Sequence, residues 1–253
     1  MKNLRIIARL DIKNNFLIKG IQLEGLRKIG APEDFAFKYF SEGVDEILLL
    51  DAVASYYDRN SLSETIDRIA KDIFIPITVG GGIRKLEDID LILKNGADKV
   101  AINTSAVRNL DFITQASRIY GSQSIVGSVV AKYNGSIWEA YIENGREPTG
   151  LNCFEWIQEL QKAGIGELIL TSLDRDGTRR GFDLNLYKEA LKYSQVPIIA
   201  SGGAGNSIDC ENLLCSSDVD GIAIASAFHY NKIDIFGLKH SLNSATSSRY
   251  IRF

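Results

Sequence analysis

The chain is poor in the residues that build metal centres and disulfide scaffolds. Among 253 residues there are three cysteines and two histidines. Cys153, Cys210 and Cys215 form no Cys-x-x-Cys pair and no zinc-type spacing, so they read as structural thiols of a reducing compartment. With only His229 and His240 a histidine-rich metal site is excluded, and neither metal nor cofactor is expected. The formal net charge of −3 gives no electrostatic case for nucleic acid or anionic lipid. No apolar stretch approaches the roughly 20 residues a membrane span needs. Residues 1–11 run straight into a strand, without the long apolar stretch and cleavage site of a signal peptide. What is present, 45% hydrophobic and 24% charged residues, is ordinary globular composition, and a cytoplasmic protein is expected.

Short apolar runs alternate with amphipathic stretches from end to end. Strands are predicted at 5–11, 46–51, 75–79, 99–103, 125–131, 167–171, 196–201 and 221–225. Helices are predicted near 33–43, 61–72, 85–95, 109–119, 153–164, 184–194, 207–215 and 233–243. Such alternation implies parallel crossovers, which close most commonly into a (β/α)8 TIM barrel, here one domain spanning 1–253. The strand cores are nearly continuous apolar runs, as expected where both faces are covered. The two halves also repeat, at an offset of about 121 residues. IPITVGGGI at 75–83 matches VPIIASGGA at 196–204, ADKVAINTSAV at 97–107 matches VDGIAIASAF at 219–228, and DEILLLD at 45–51 matches GELILTS at 166–172. Half-barrels of about 1–120 and 121–253 follow, with equivalent positions facing each other across the axis.

That symmetry bears on the ligand. Gly81 and Gly82 follow the third predicted strand, with Asn103 and Thr104 after the fourth; Gly202, Gly203, Ala225 and Ser226 take the same places in the second half. Glycines let the backbone approach an anion, and a following helix start turns N–H groups toward it. One such turn reads equally as a tight loop. Two matched turns, each paired with a hydroxyl one strand on, read as two phosphate seats and call for an elongated substrate with a phosphate at each end.

RLDIK at 9–13, LLLDAVAS at 48–55, ITVGGGIR at 77–84, ADKVAINTSAV at 97–107, LTSLDRDGT at 170–178, ASGGAGN at 200–206 and ASAFHY at 225–230 together resemble the cyclase subunit (HisF) family of imidazole glycerol phosphate synthase. The resemblance runs over essentially the whole chain. It implies a role in histidine biosynthesis: ammonia from a glutaminase (HisH-type) subunit, docked at the N-terminal rim, passes through the barrel. A bisphosphorylated ribulosyl aminoimidazole carboxamide is then closed and cleaved to imidazole glycerol phosphate and aminoimidazole carboxamide ribotide. It also implies an ammonia gate at Arg5, Glu46, Lys99 and Glu167, a partner contact at Asp98, and rim roles for Gly177 and Asp176.

The chain departs from the family where chemistry is concentrated. The family uses an aspartate at the end of strand 1, here Asp11, and another at the end of strand 5. Aligning LDIK at 10–13 with VVAK at 129–132 puts Val130 at the second position, and the internal repeat gives the same pairing. Valine has no proton to give, and losing a general acid or base costs roughly 10²–10⁴-fold in rate. Arg9, where the family tends to have a small residue, shares a strand face with Asp11. A buried guanidinium needs a carboxylate, so Arg9 is expected to pair with Asp11 and to stand in the ammonia path; the other course is upward, onto a substrate phosphate. Asp176 reads as an active-site residue or as an Asx turn before Gly177, and Asp51 as a rim residue. The 13–31 segment reads as a mobile lid carrying Lys19 toward a phosphate. His229 and Trp156 read as packing residues. Two functions are left: a cyclase subunit, or a diverged accessory subunit that passes ammonia to a sugar amidotransferase of surface-polysaccharide synthesis.

Overall fold

In the computed structural model the described residues are 2–52, 63–245 and 249–252. The last three positions of the 48–55 motif and the first two of the 61–72 helix lie outside them. The first half contributes β1 (Lys2–Lys13), β2 (Phe16–Ile21), β3 (Glu24–Gly30), β4 (Glu46–Asp51), β5 (Ile77–Gly80) and β6 (Lys99–Ile102). The second half contributes β7 (Ile125–Tyr133), β8 (Trp138–Ile142), β9 (Glu147–Asn152), β10 (Glu167–Ser172), β11 (Ile198–Ser201) and β12 (Gly221–Ile224), followed by β13 (Arg249–Ile251). Eight of these pair in parallel as a closed ring, β1-β4-β5-β6-β7-β10-β11-β12 and back to β1. Helices fill the crossovers, as the apolar periodicity demanded, so the chain is a (β/α)8 barrel. No helix among the described residues is long and apolar enough to cross a membrane.

Two apolar layers follow from strand alternation. Inward side chains Ile7, Leu48, Ala101, Val126, Ile169, Ile199 and Ala223 form their own cluster inside the ring. Outward ones such as Ile6, Ile47, Val100 and Leu168 pack under the helices. Burying each large aliphatic side chain stabilises the fold by about 1.5–3 kcal/mol.

Two differences from the predicted elements have physical causes. The strands expected at 75–79 and 196–201 begin at Ile77 and Ile198, each just after a proline. Pro76 and Pro197 have no N–H for the ladder, yet their carbonyls still accept from Ile47 and Leu168 at 3.0 and 2.9 Å. The second difference is a pair of antiparallel hairpins on the C-terminal rim. β1 overshoots the barrel and turns back into β2 and β3, so the segment expected as a loop lid is a hairpin. β7 does the same with β8 and β9. Since β1 and β7 open the two halves, the hairpins obey the repeat, and Asn134-Gly135 and Asn144-Gly145 are hairpin-type turn pairs.

Candidate functional site

Four charged side chains close the barrel floor. Arg5 Nη1 donates to Glu46 at 3.0 Å and its Nη2 to Glu167. Lys99 Nζ donates to both Glu46 oxygens at 3.2 Å and to Glu167 at 2.8 Å. Each cation touches both anions, so the four form one ring of alternating sign. Burial opposes the charge on Glu167, but Arg5 and Lys99 hold its carboxyl below the ordinary value. Asp98 lies on the same rim with its side chain exposed and one carboxylate oxygen accepting from the Ile77 N–H at 2.8 Å. Asp45 and Asp220 do the same for Ile6 and Ile198, so part of what Asp98 does is to cap a strand start.

Above the apolar layer the interior becomes polar again. Arg9, Asp11, Lys19 and Asp176 are all 4% exposed or less. Unpaired charges so buried would cost several kcal/mol each; two cations and two anions sum to zero. Arg9 points inward and donates through Nε to Asp11 at 2.8 Å and through Nη1 to Ser201 at 2.9 Å. Lys19 Nζ donates to Asp11 and to Asp176, both at 2.9 Å. Burial pushes the Asp11 pKa up, but Arg9 and then Lys19 outweigh it and hold the carboxyl well below the usual range. A carboxylate in that state is a poor acid and a weak base. Lys19 and Asp176 thus neutralise each other, while Lys19 also borders a groove beside the hairpin and Asp176 lines a small cavity at the rim. The hairpin that carries Lys19 is held down on the rim, with the Gln22 N–H donating to the Asp176 carbonyl at 2.8 Å.

Val130 faces the same space from β7 and packs with Leu23, Leu173 and Tyr141. Leu23 sits at the tip of the β2–β3 turn with φ +61°, a conformation unfavourable for a branched residue. Its packing onto Val130 is the apolar counterpart of the Lys19 tie.

The matched loops share backbone geometry. Gly81 and Gly202 have φ of +102° and +96°. Asn103 and Ala225, before the short helices Thr104–Arg108 and Ser226–His229, have φ, ψ of −119°, −85° and −116°, −82°. At Gly81 a side chain would also run into the Asp51 backbone, so glycine is required twice over. The first pair of loops opens a cavity of about 100 Å³ lined by Asp51, Gly81, Gly82, Asn103 and Thr104, with Val130 and Arg9 at its inner end. The second encloses only about 10 Å³, lined by Gly177, Gly202, Gly203, Ala225 and Ser226, room for about one water. Gly177 and Ser226 also border a wider groove of about 810 Å³ beside the hairpin, with Arg27, Arg179 and Lys232. The two loop sets match in backbone but not in space.

Other lining residues escaped the sequence reading. Arg84, Arg108, Ser128 and Asn144 border the larger cavity. Arg84 directly follows the GGGI motif and could have been found there. Asn144 comes from the β8–β9 turn, and the Glu143 N–H beside it donates to the Thr104 hydroxyl at 3.2 Å, a contact no local pattern announces. Trp156 and His229 are in the core. His229 Nδ1 bonds the Tyr39 hydroxyl at 2.7 Å, and burial pushes its pKa down to about 3.

Fold and site define a half-barrel-repeat (β/α)8 protein with a ligand cleft at the C-terminal rim and an ion-paired floor at the other. Residues 5–234 match the model of the histidine biosynthesis protein family. The chain is 51% identical over 207 residues to the imidazole glycerol phosphate synthase subunit HisF of Legionella pneumophila, covering 81% of this chain and 97% of that one. It is 42% identical to the subunit of that name from Leuconostoc mesenteroides and 43% to that from Thermococcus onnurineus, each over 94% of both chains. The chain belongs to the histidine biosynthesis protein family.

Proposed function

We propose that this chain is the cyclase-type subunit of a glutamine-dependent imidazole glycerol phosphate synthase, working in the cytoplasm with a glutaminase subunit at its N-terminal rim. The observation that carries this reading is the closed Arg5–Glu46–Lys99–Glu167 ring on the barrel axis, beneath a cleft bordered by two equivalent loop sets. Ammonia would enter through the ring when a partner displaces one of its members. The substrate would lie across the rim, one phosphate at Gly82 and Thr104 and the other at Gly203 and Ser226.

The Arg9–Asp11 pair and the apolar wall at Val130 favour a second reading, the accessory subunit that hands ammonia to a sugar amidotransferase. Incubation with ammonium salt and the bisphosphorylated ribulosyl substrate separates the two. Formation of both imidazole glycerol phosphate and aminoimidazole carboxamide ribotide supports the cyclase. No product, together with stimulated glutamine hydrolysis by a co-purifying glutaminase, supports the accessory subunit and overturns the first reading.

A further inference from the structure

The two rim hairpins end in turns of the same shape. The repeat offset of about 121 residues carries Gln22-Leu23 onto Glu143-Asn144. Their φ angles agree, +52° and +61° in the first pair, +50° and +54° in the second. All four lie in the left-handed region, which few side chains adopt outside tight turns. The second residue of each pair, Leu23 or Asn144, lines the larger rim cavity. The turns also approach each other there: a Cβ on Gly145 would come within 3.1 Å of Leu23 Cδ1 and 3.0 Å of Leu173 Cδ1. One tip brings an apolar side chain to the cavity and the other a polar one.

The Asn144 amide is not spent on the protein. Its Nδ2 is buried and has no hydrogen-bond partner among the described residues, which destabilises the fold unless something else accepts from it. Its chain neighbours fix where that donor lies. On one side Glu143 is tied to the first loop set, its N–H donating to the Thr104 hydroxyl at 3.2 Å and its carboxylate accepting from Arg108 at 2.7 Å. On the other, Gly145 borders Leu23 and Leu173, which pack with Val130. The amide therefore sits between the Thr104 seat and an apolar wall, on a turn pinned from both sides. A donor held in place before a ligand arrives loses little freedom on binding it.

We propose that Asn144 is a specificity-determining residue whose Nδ2 donates to an uncharged oxygen of the ligand, a hydroxyl on the carbon chain next to the phosphate held at Gly82 and Thr104. This rests on the reading that the first seat takes a phosphate, and it adds the part of the ligand beside that phosphate. Leu23, at the equivalent place on the other tip, has no hydrogen bond to offer. The recognition is therefore one-sided although the turns repeat.

Calorimetric titration with ribitol 5-phosphate and n-pentyl phosphate tests it, since the probes share phosphate and chain length and differ in their hydroxyls. The variant is Asn144→Gly, which removes the amide and keeps a backbone that glycine adopts without strain at φ +54°. Ribitol 5-phosphate should bind the variant roughly 3–10-fold more weakly than the wild type, while pentyl phosphate binds both alike. Unchanged affinity for ribitol 5-phosphate overturns the proposal. Equal weakening of both probes in a variant that melts like the wild type also overturns it, because Asn144 would then act on the phosphate or on the shape of the seat. Either result leaves the phosphate reading standing. Failure of both probes to bind the wild type at millimolar concentration overturns that reading and this proposal together. In the wild type, the Asn144 side-chain amide proton resonance should move downfield with ribitol 5-phosphate and not with pentyl phosphate. The same response to both probes, or none to either, overturns the proposal even if the variant does not fold.

Discussion

Asp11 accepts from Arg9 at 2.8 Å and from Lys19 at 2.9 Å, and a carboxylate held by two cations stays ionised through the working pH range. Val130 cannot share its proton work. Ammonia-dependent formation of imidazole glycerol phosphate should therefore be slow in the wild type. Val130→Asp should raise it modestly while Arg9 still holds Asp11, and Val130→Asp with Arg9→Ala by more than the product of the single effects, within the roughly 10²–10⁴-fold range of general acid–base catalysis. A fast wild type that Asp11→Asn silences would show that Asp11 suffices alone. A second prediction concerns His229, whose folded pKa of about 3 lies far below its ordinary 6.5. Between these values the unfolded chain binds a proton that the folded chain does not, so stability falls as pH drops below about 6.5 and is unaffected above it. The loss at pH 5 is about 2 kcal/mol. Thermal melting of His229→Gln should be flatter than wild type between pH 7 and 5; parallel curves would sink the assignment.

The β2–β3 hairpin is held by two ties of different nature, the Lys19 ion pairs and the Leu23–Val130 contact. Removing one partner of a buried pair costs about 3–5 kcal/mol because the other charge is left uncompensated. Lys19→Met leaves Asp176 only the longer Arg9 contact at 3.7 Å, whereas Asp11 keeps Arg9 at 2.8 Å, so the damage should concentrate in the hairpin. Amide exchange across Phe16–Gly30 should accelerate by roughly 10²-fold or more while the β10 and β11 amides stay protected. Unchanged exchange in the hairpin would mean that Leu23 and the strand ladder hold it unaided. This also revises the meaning of Val130→Asp: a carboxylate there would face Leu23 and Leu173, and the hairpin should loosen as the chemistry is restored. Both the Lys19 tie and the Leu23 contact were invisible along the chain, since they join residues 157 apart in one case and depend on a strained turn in the other. The second hairpin carries Asn-Gly pairs at 134–135 and 144–145, but the first carries none, and the length of the 13–31 segment suggested a loop.

At the scale of the molecule the two rims divide the work: a ligand cleft on one, an ion-paired floor and the proposed glutaminase surface on the other. Phe74, 83% exposed, lies just before the start of β5, where Asp98 accepts from the Ile77 N–H. Phe74→Ser and Asp98→Asn should each weaken co-purification with the glutaminase while leaving the fold's melting within about 1 kcal/mol of wild type, as surface changes do; Asp98→Asn preserves an acceptor for the Ile77 N–H. Full complex formation by both variants would move the partner to another surface. The barrel and the half-barrel repeat could be read from residues because each depends on periodicity or on glycines at fixed offsets, and these are local quantities; the four floor charges were singled out by the family resemblance. Even the Arg9–Asp11 pair followed from strand alternation. What only the folded chain decided were the partners supplied from far away in sequence: Lys19 turned onto Asp11 and Asp176, Leu23 laid over Val130, Asn144 brought to the cavity, and unequal space at the two matched loops. Burial is the physical reason. A charge removed from water must find its opposite wherever the topology brings one, and which one arrives is settled by how strands and hairpins close around the site.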